Sequence, residues 1–109
     1  MTIVKIKKSG NSIKSVKTMG HTGFAASGED IVCAALSSVI QTALLGLLQV
    51  AGINVIYERD DEDGYLMFEL PDEMTDAQAR DADVILSTMY MGIADLVESY
   101  SDYIKLEVK

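Results

Sequence analysis

A chain of 109 residues, nearly half of them apolar, is long enough to bury one core and short for two domains. Nine Lys and Arg stand against 17 Asp and Glu, a formal charge of −8. That balance argues against direct nucleic-acid binding, which needs clustered cations for phosphate contacts, and suits either a basic partner or a soluble surface.

The first residues, "TIVKIKK", alternate well enough for a strand with Val4 and Ile6 on one face and Lys5 and Lys7 on the other. Gly10-Asn11 reads as a turn, and "SIKSVKTMGH" as a second strand of imperfect alternation, ending at Gly20-His21. A helix is expected from Asp30 to about Ala51, with Gly52 as its stop. From Ile31 to Tyr57 there is no charged residue, so a membrane span must be weighed. Ser37, Ser38, Gln41, Thr42, Gly46 and Gln49 interrupt the run, and acidic flanks replace the usual cationic ones, which favours a buried core helix. Apolar side chains occur all round this helix, so it needs a sheet on one side and a second helix or second subunit on the other.

"INVIYE" and "YLMFEL" read as two further strands joined by the acidic turn "RDDEDG". The turn lacks the spacing and terminal Glu of a calcium-binding loop, so a solvated hairpin is the expectation. After Pro71, Thr75 and Gln78 have the spacing of a capping box. Ala82, Ile85, Leu86, Met89, Ile93, Leu96, Val97 and Tyr100 then recur at three- and four-residue steps, a strongly amphipathic helix. "YIKLEVK" closes the chain as a strand. The expected fold is therefore α+β, one domain over residues 1–109 in the order β-β-α-β-β-α-β. Its single layer of about five antiparallel or mixed strands packs against two helices.

The chemistry is concentrated between residues 20 and 35. His21 is the only histidine and Cys33 the only cysteine. One cysteine allows no intrachain disulfide, and the first residues lack the apolar core of a signal peptide, so a reducing cytoplasm is the expected location. If Asp30 caps the helix, Cys33 sits in its first turn, where unpaired amides and the helix dipole favour a thiolate by roughly 0.3–1 kcal/mol. That is too little for a strong nucleophile, and a neighbouring imidazole would have to supply the rest. His21 is the one candidate, yet spacing alone leaves a buried inert thiol and a surface histidine as real alternatives.

Asp30 has two readings, helix cap or orienter of His21, and the cap is preferred. Ser37 lies one turn beyond Cys33 on the same face, either bonding its own helix or standing beside the sulfur. Thr22, Gly23, Phe24, Ala25, Ala26, Ser27, Gly28 and Glu29 form a loop of small residues around one aromatic. Such a loop suits a flap over an extended peptide, or a plain connector. One His and one Cys fall short of the four ligands of a structural zinc site, and no metal or cofactor is expected.

Gly20, His21, Gly28, Asp30, Ile31, Val32, Cys33, Ala34 and Ser37 together form a block that resembles the signature of the ribosomal-processing cysteine protease family, Prp. The resemblance in length and element order extends over essentially the whole chain. It implies a cytoplasmic, homodimeric cysteine endopeptidase that removes the N-terminal extension of large-subunit ribosomal protein number twenty-seven, cutting after hydrophobic and aromatic residues. It implies Cys33 as nucleophile and His21 as general base. The peptide would lie under the Thr22 to Glu29 flap, with helix-start amides, that of Cys33 among them, around the oxyanion. Two rival readings are a non-catalytic dimeric assembly factor that binds a basic ribosomal protein, and a regulatory dimer with an inert Cys33.

Overall fold

The computed structural model describes residues 1–20, 30–60, 62 and 64–109. Its strands are β1 (Thr2–Ser9), β2 (Ser12–Met19), β3 (Ile56–Asp60), β4 (Tyr65–Glu69) and β5 (Ile104–Val108), with helices α1 (Ile31–Leu45) and α2 (Asp76–Ser99). The five strands form one mixed sheet in the order β3-β4-β2-β1-β5. β1 and β5 run parallel and every other pairing is antiparallel. Element order and α+β class are those expected from the sequence.

Both helices lie on one face of the sheet, and the alternation of β1 decides which. Thr2, Val4 and Ile6 are buried while Lys5 and Lys7 are exposed. The irregular alternation of β2 has a specific cause. Lys7 pairs with Ser15 and Lys8 with Ile13, so Lys14 is the extra residue of a bulge. The bulge reverses which parity points inward, and Ile13 and Val16 are therefore both buried although three apart. Lys14 turns its ammonium outward to the Asp72 carboxylate, 3.1 Å away.

α1 buries Val32, Leu36, Ile40, Ala43 and Leu44 against the sheet. From Ile31 to Val50 it is long and apolar enough to cross a membrane by length and composition, but this stripe is spent on the core. The expected single helix to Ala51 is modified at its end. Gly46–Val50 widens into a π-helical turn, and Ala51 N–H reaches back five residues to the Gly46 carbonyl at 2.9 Å. Gly52, at φ +64°, reverses the chain, and Ile53 N–H returns to the Leu47 carbonyl at 2.9 Å.

That return displaces the next strand from its expected position. Ile53 and Val55 are buried under the helix end rather than paired in the sheet, so β3 starts at Ile56 and takes in Glu58, Arg59 and Asp60. Part of the expected acidic turn is thus strand.

α2 begins with the expected capping box. Thr75 Oγ1 accepts from Gln78 N–H at 3.1 Å, and Gln78 Oε1 accepts from Thr75 N–H at 3.0 Å. Ala82, Leu86, Met89 and Ile93 form its buried stripe. Gly46, the first residue past α1, faces Ile85, and Gly92 on α2 faces Val39 so closely that an added Cβ would lie 3.1 Å from Val39 Cγ1. The two helices approach where their side chains are smallest. Leu86 is 1% exposed at the centre of this layer, and Leu86→Ala is expected to lower stability by about 2–5 kcal/mol, measured by urea unfolding.

Candidate active site

The site is built at the start of α1. Asp30 is extended, at φ −79° and ψ 96°, and caps the helix: its Oδ1 accepts the Cys33 N–H at 2.8 Å. Its carbonyl accepts the Ala34 N–H at 3.0 Å. Asp30 therefore caps the helix, as the preferred of its two readings has it; His21, which the other reading needs, lies outside the described residues. The same bond bears on the expected oxyanion donors, because the Cys33 amide is engaged by a carboxylate in this structure.

Cys33, Ser37 and Gln41 follow one another at four-residue steps and line one wall of a cavity of about 180 Å³, together with Leu36 and Ile40. The opposite wall comes from the β3–β4 hairpin, through Arg59, Asp60, Gly64, Tyr65 and Leu66. Thr2, Thr18 and Gly20 complete it from β1 and β2. The cavity exists because α1 stops short of the sheet edge. Arg59 pairs with Leu66 and Tyr57 with Phe68, so both β3 side chains share the helix-side face, yet β3 is exposed along its whole length. The uncovered margin between helix and edge strand is the cleft. Ser37, one turn beyond Cys33, also lies on its wall.

Gly20 sits on the cavity where β2 leaves the sheet. Its φ of +85° is a left-handed conformation, and a Cβ there would come within 2.8 Å of the Met1 carbonyl oxygen. Glycine is required on both counts. His21 and the loop Thr22, Gly23, Phe24, Ala25, Ala26, Ser27, Gly28 and Glu29 lie outside the described residues. The chain nevertheless departs toward His21 from Gly20 and re-enters at Asp30, three residues before Cys33, and Gly20 and Cys33 border the same cavity.

Sequence reasoning did not find Thr2, Gln41, Arg59 or Tyr65. Gln41 was legible as the next step of the Cys33–Ser37 stripe. The other three depend on strand pairing across the sheet, which no local pattern reveals.

Residues 1–105 match the family model described as cysteine protease Prp. The chain belongs to the Prp family of cysteine proteases. By class it is a cysteine endopeptidase. The ribosomal processing cysteine protease Prp of Bacillus subtilis (strain 168) is 26% identical over 94 residues, which are 86% of this chain and 84% of the relative. The structure of an essential ribosomal processing protease Prp from S. aureus, in complex with a covalently linked product peptide, superposes with a TM-score of 0.89. It is 25% identical, and each chain is covered completely. A second S. aureus Prp structure, with a substrate peptide, gives a TM-score of 0.83 at 24% identity, again over the whole of both chains.

The cap makes a direct prediction. Asp30→Ala removes the partner of the Cys33 amide and is expected to lower stability by about 1 kcal/mol, with Asp30→Asn largely retaining it, both read by thermal unfolding.

Proposed function

We propose that this Prp-family protein removes the N-terminal extension of a basic large-subunit ribosomal protein, number twenty-seven, with Cys33 as nucleophile and His21 as general base and acid. The observation that carries the reading is the cavity at the start of α1. A cysteine endopeptidase needs a thiol, Cys33 is the only one in the sequence, and it borders a cleft that also holds the residue preceding the only imidazole. Relatives named as ribosomal processing proteases, one of them bound covalently to a product peptide, support the substrate class. The net charge of −8 suits a basic substrate.

The chemistry runs in two halves. The extended peptide enters the cleft at the start of α1, and the Cys33 thiolate adds to the scissile carbonyl carbon. With the Cys33 and Ala34 amides committed to Asp30, oxyanion stabilisation falls to other donors around the helix start. The His21 imidazolium gives its proton to the departing amine, leaving a thioester on Cys33. Neutral His21 then takes a proton from water, whose oxygen attacks the thioester. The thiolate is expelled, the new carboxylic acid gives its proton to solvent and leaves as carboxylate, and the thiolate–imidazolium pair is restored.

The protein acts as a homodimer in the cytoplasm in this reading. Leu45, Val50, Val84 and Met91 are large apolar side chains exposed on the helix layer, and between α1 and α2 runs an apolar groove of about 570 Å³. A second subunit would cover them.

Two experiments test these points. Cys33→Ala and His21→Ala are each expected to reduce cleavage of the precursor by more than about 10³-fold while leaving the fold intact, read by mass spectrometry of the product. Tight binding of a precursor that stays uncut by wild type would favour the assembly-factor reading instead. Sedimentation at micromolar concentration is expected to give about twice the 11.8 kDa chain mass. Val84→Asp is expected to shift the protein toward monomer.

A further inference from the structure

Thr2 occupies a position where the strand pattern calls for a hydrocarbon. It shares the inward face of β1 with Val4 and Ile6 and is 3% exposed, a burial that valine would satisfy at the same size without carrying a hydroxyl into the interior. The hydroxyl donates to the Gly20 carbonyl at 3.2 Å. That bond joins the two strands at the point where their ladder ends. The register runs Lys5↔Lys17, Val4↔Thr18 and Ile3↔Met19, which puts Gly20 opposite Thr2. Beyond Met19 the chain turns out through the left-handed Gly20, while the Thr2 backbone N–H is given to Tyr103 at 2.9 Å on the β5 side. Among the described residues, the side chain of Thr2 is thus a tie between the departing chain and β1.

The Gly20 carbonyl belongs to the same planar peptide unit as the amide nitrogen of residue 21, so fixing the oxygen fixes the direction in which the next Cα leaves. Glycine has no Cβ to restrict that unit, and an untethered one would be free to rotate. Thr2, Gly20 and Cys33 also border the same cavity. We infer that Thr2 is a positioning residue for the base: its buried hydroxyl holds the Gly20 carbonyl and so sets the course of the chain into His21. This rests on the assignment of His21 and Cys33 proposed above.

The test compares wild type with Thr2→Val, which keeps the shape and removes the donor, and Thr2→Ser, which keeps the donor and removes a methyl. Precursor cleavage, the iodoacetamide alkylation rate of Cys33 at pH 7 and the thermal midpoint are measured for each. Thr2→Val is expected to lose on the order of tenfold in kcat with KM nearly unchanged, because a small displacement of a base costs rate more than binding. Its alkylation is expected to slow, and Thr2→Ser to restore both. Wild-type kcat in Thr2→Val overturns the inference. So does equal loss in Val and Ser variants that tracks a lowered midpoint, since that marks a packing role only. Should Thr2→Val fail to fold, Thr2→Ala set against Thr2→Ser decides the same question. An uncut precursor with wild type, or full activity in His21→Ala, overturns the site assignment itself. Cleavage that needs His21 but not the Thr2 hydroxyl overturns this inference alone.

Discussion

The position of Cys33 depends on how α1 is seated, and two independent constraints seat it. Val32, Leu36, Ile40, Ala43 and Leu44 bury one stripe of the helix in the core, which fixes rotation about its axis. A one-residue change of phase turns a helix by about 100°, which would carry Cys33 out of the cleft and put a neighbour in its place. The Asp30 carboxylate, 2.8 Å from the Cys33 nitrogen, fixes where along the axis the helix begins. Packing alone would leave the first turn free to fray, and the cap alone would leave the helix free to roll. Together they place a partly buried thiol on the wall of a cleft rather than in the core or in solvent.

The cap also constrains the chemistry. A helix start is often treated as a ready set of amides for an oxyanion, but here the amide of the cysteine itself is already bonded to a negative charge. Asp30 therefore gives order at the cost of one donor. A carboxylate beside a thiol does not favour a thiolate, so in the proposed mechanism that work falls to the imidazole. In the proposed mechanism the base must therefore be well placed, and the bond between Thr2 and Gly20 lies one residue before it.

Much of this was legible in the sequence because local rules and tertiary packing agree. The capping box at Thr75, the stripe of α2 and the alternation of β1 follow from side-chain periodicity alone. Asp30 as cap and Ser37 beside Cys33 follow from helix geometry. Where the reading departed, a nonlocal contact was responsible. β3 begins three residues later than its β-rich composition indicates because Ile53 and Val55 are needed beneath the end of the first helix. The irregular pattern of β2 hid a bulge at Lys14, visible only once β1 is laid beside it. Arg59 and Tyr65 reach the cleft through the pairing of β3 with β4, and Thr2 through its place opposite Gly20. Local pattern finds the helix that carries Cys33; it does not find the walls that strand order brings to it.

A single helix of this domain faces three demands at once. One stripe fills the core, a neighbouring stripe of Cys33, Ser37 and Gln41 lines the cleft, and Gly46 and Val39 meet α2. Charged side chains would conflict with the first and third, and a charge on the second would be partly desolvated at the cleft wall. The absence of charge from Ile31 to Tyr57 is therefore what three packed faces require, and no membrane need be invoked to explain it. The remaining surface of the helix carries Ile31, Leu45 and Val50 into solvent within a single chain. Those residues lie on the element that holds the thiol, so whatever covers them also stiffens the support of the site. In a domain this small, with little core to spare, a partner on that surface would stabilise the fold and the helix that carries Cys33 by the same contact.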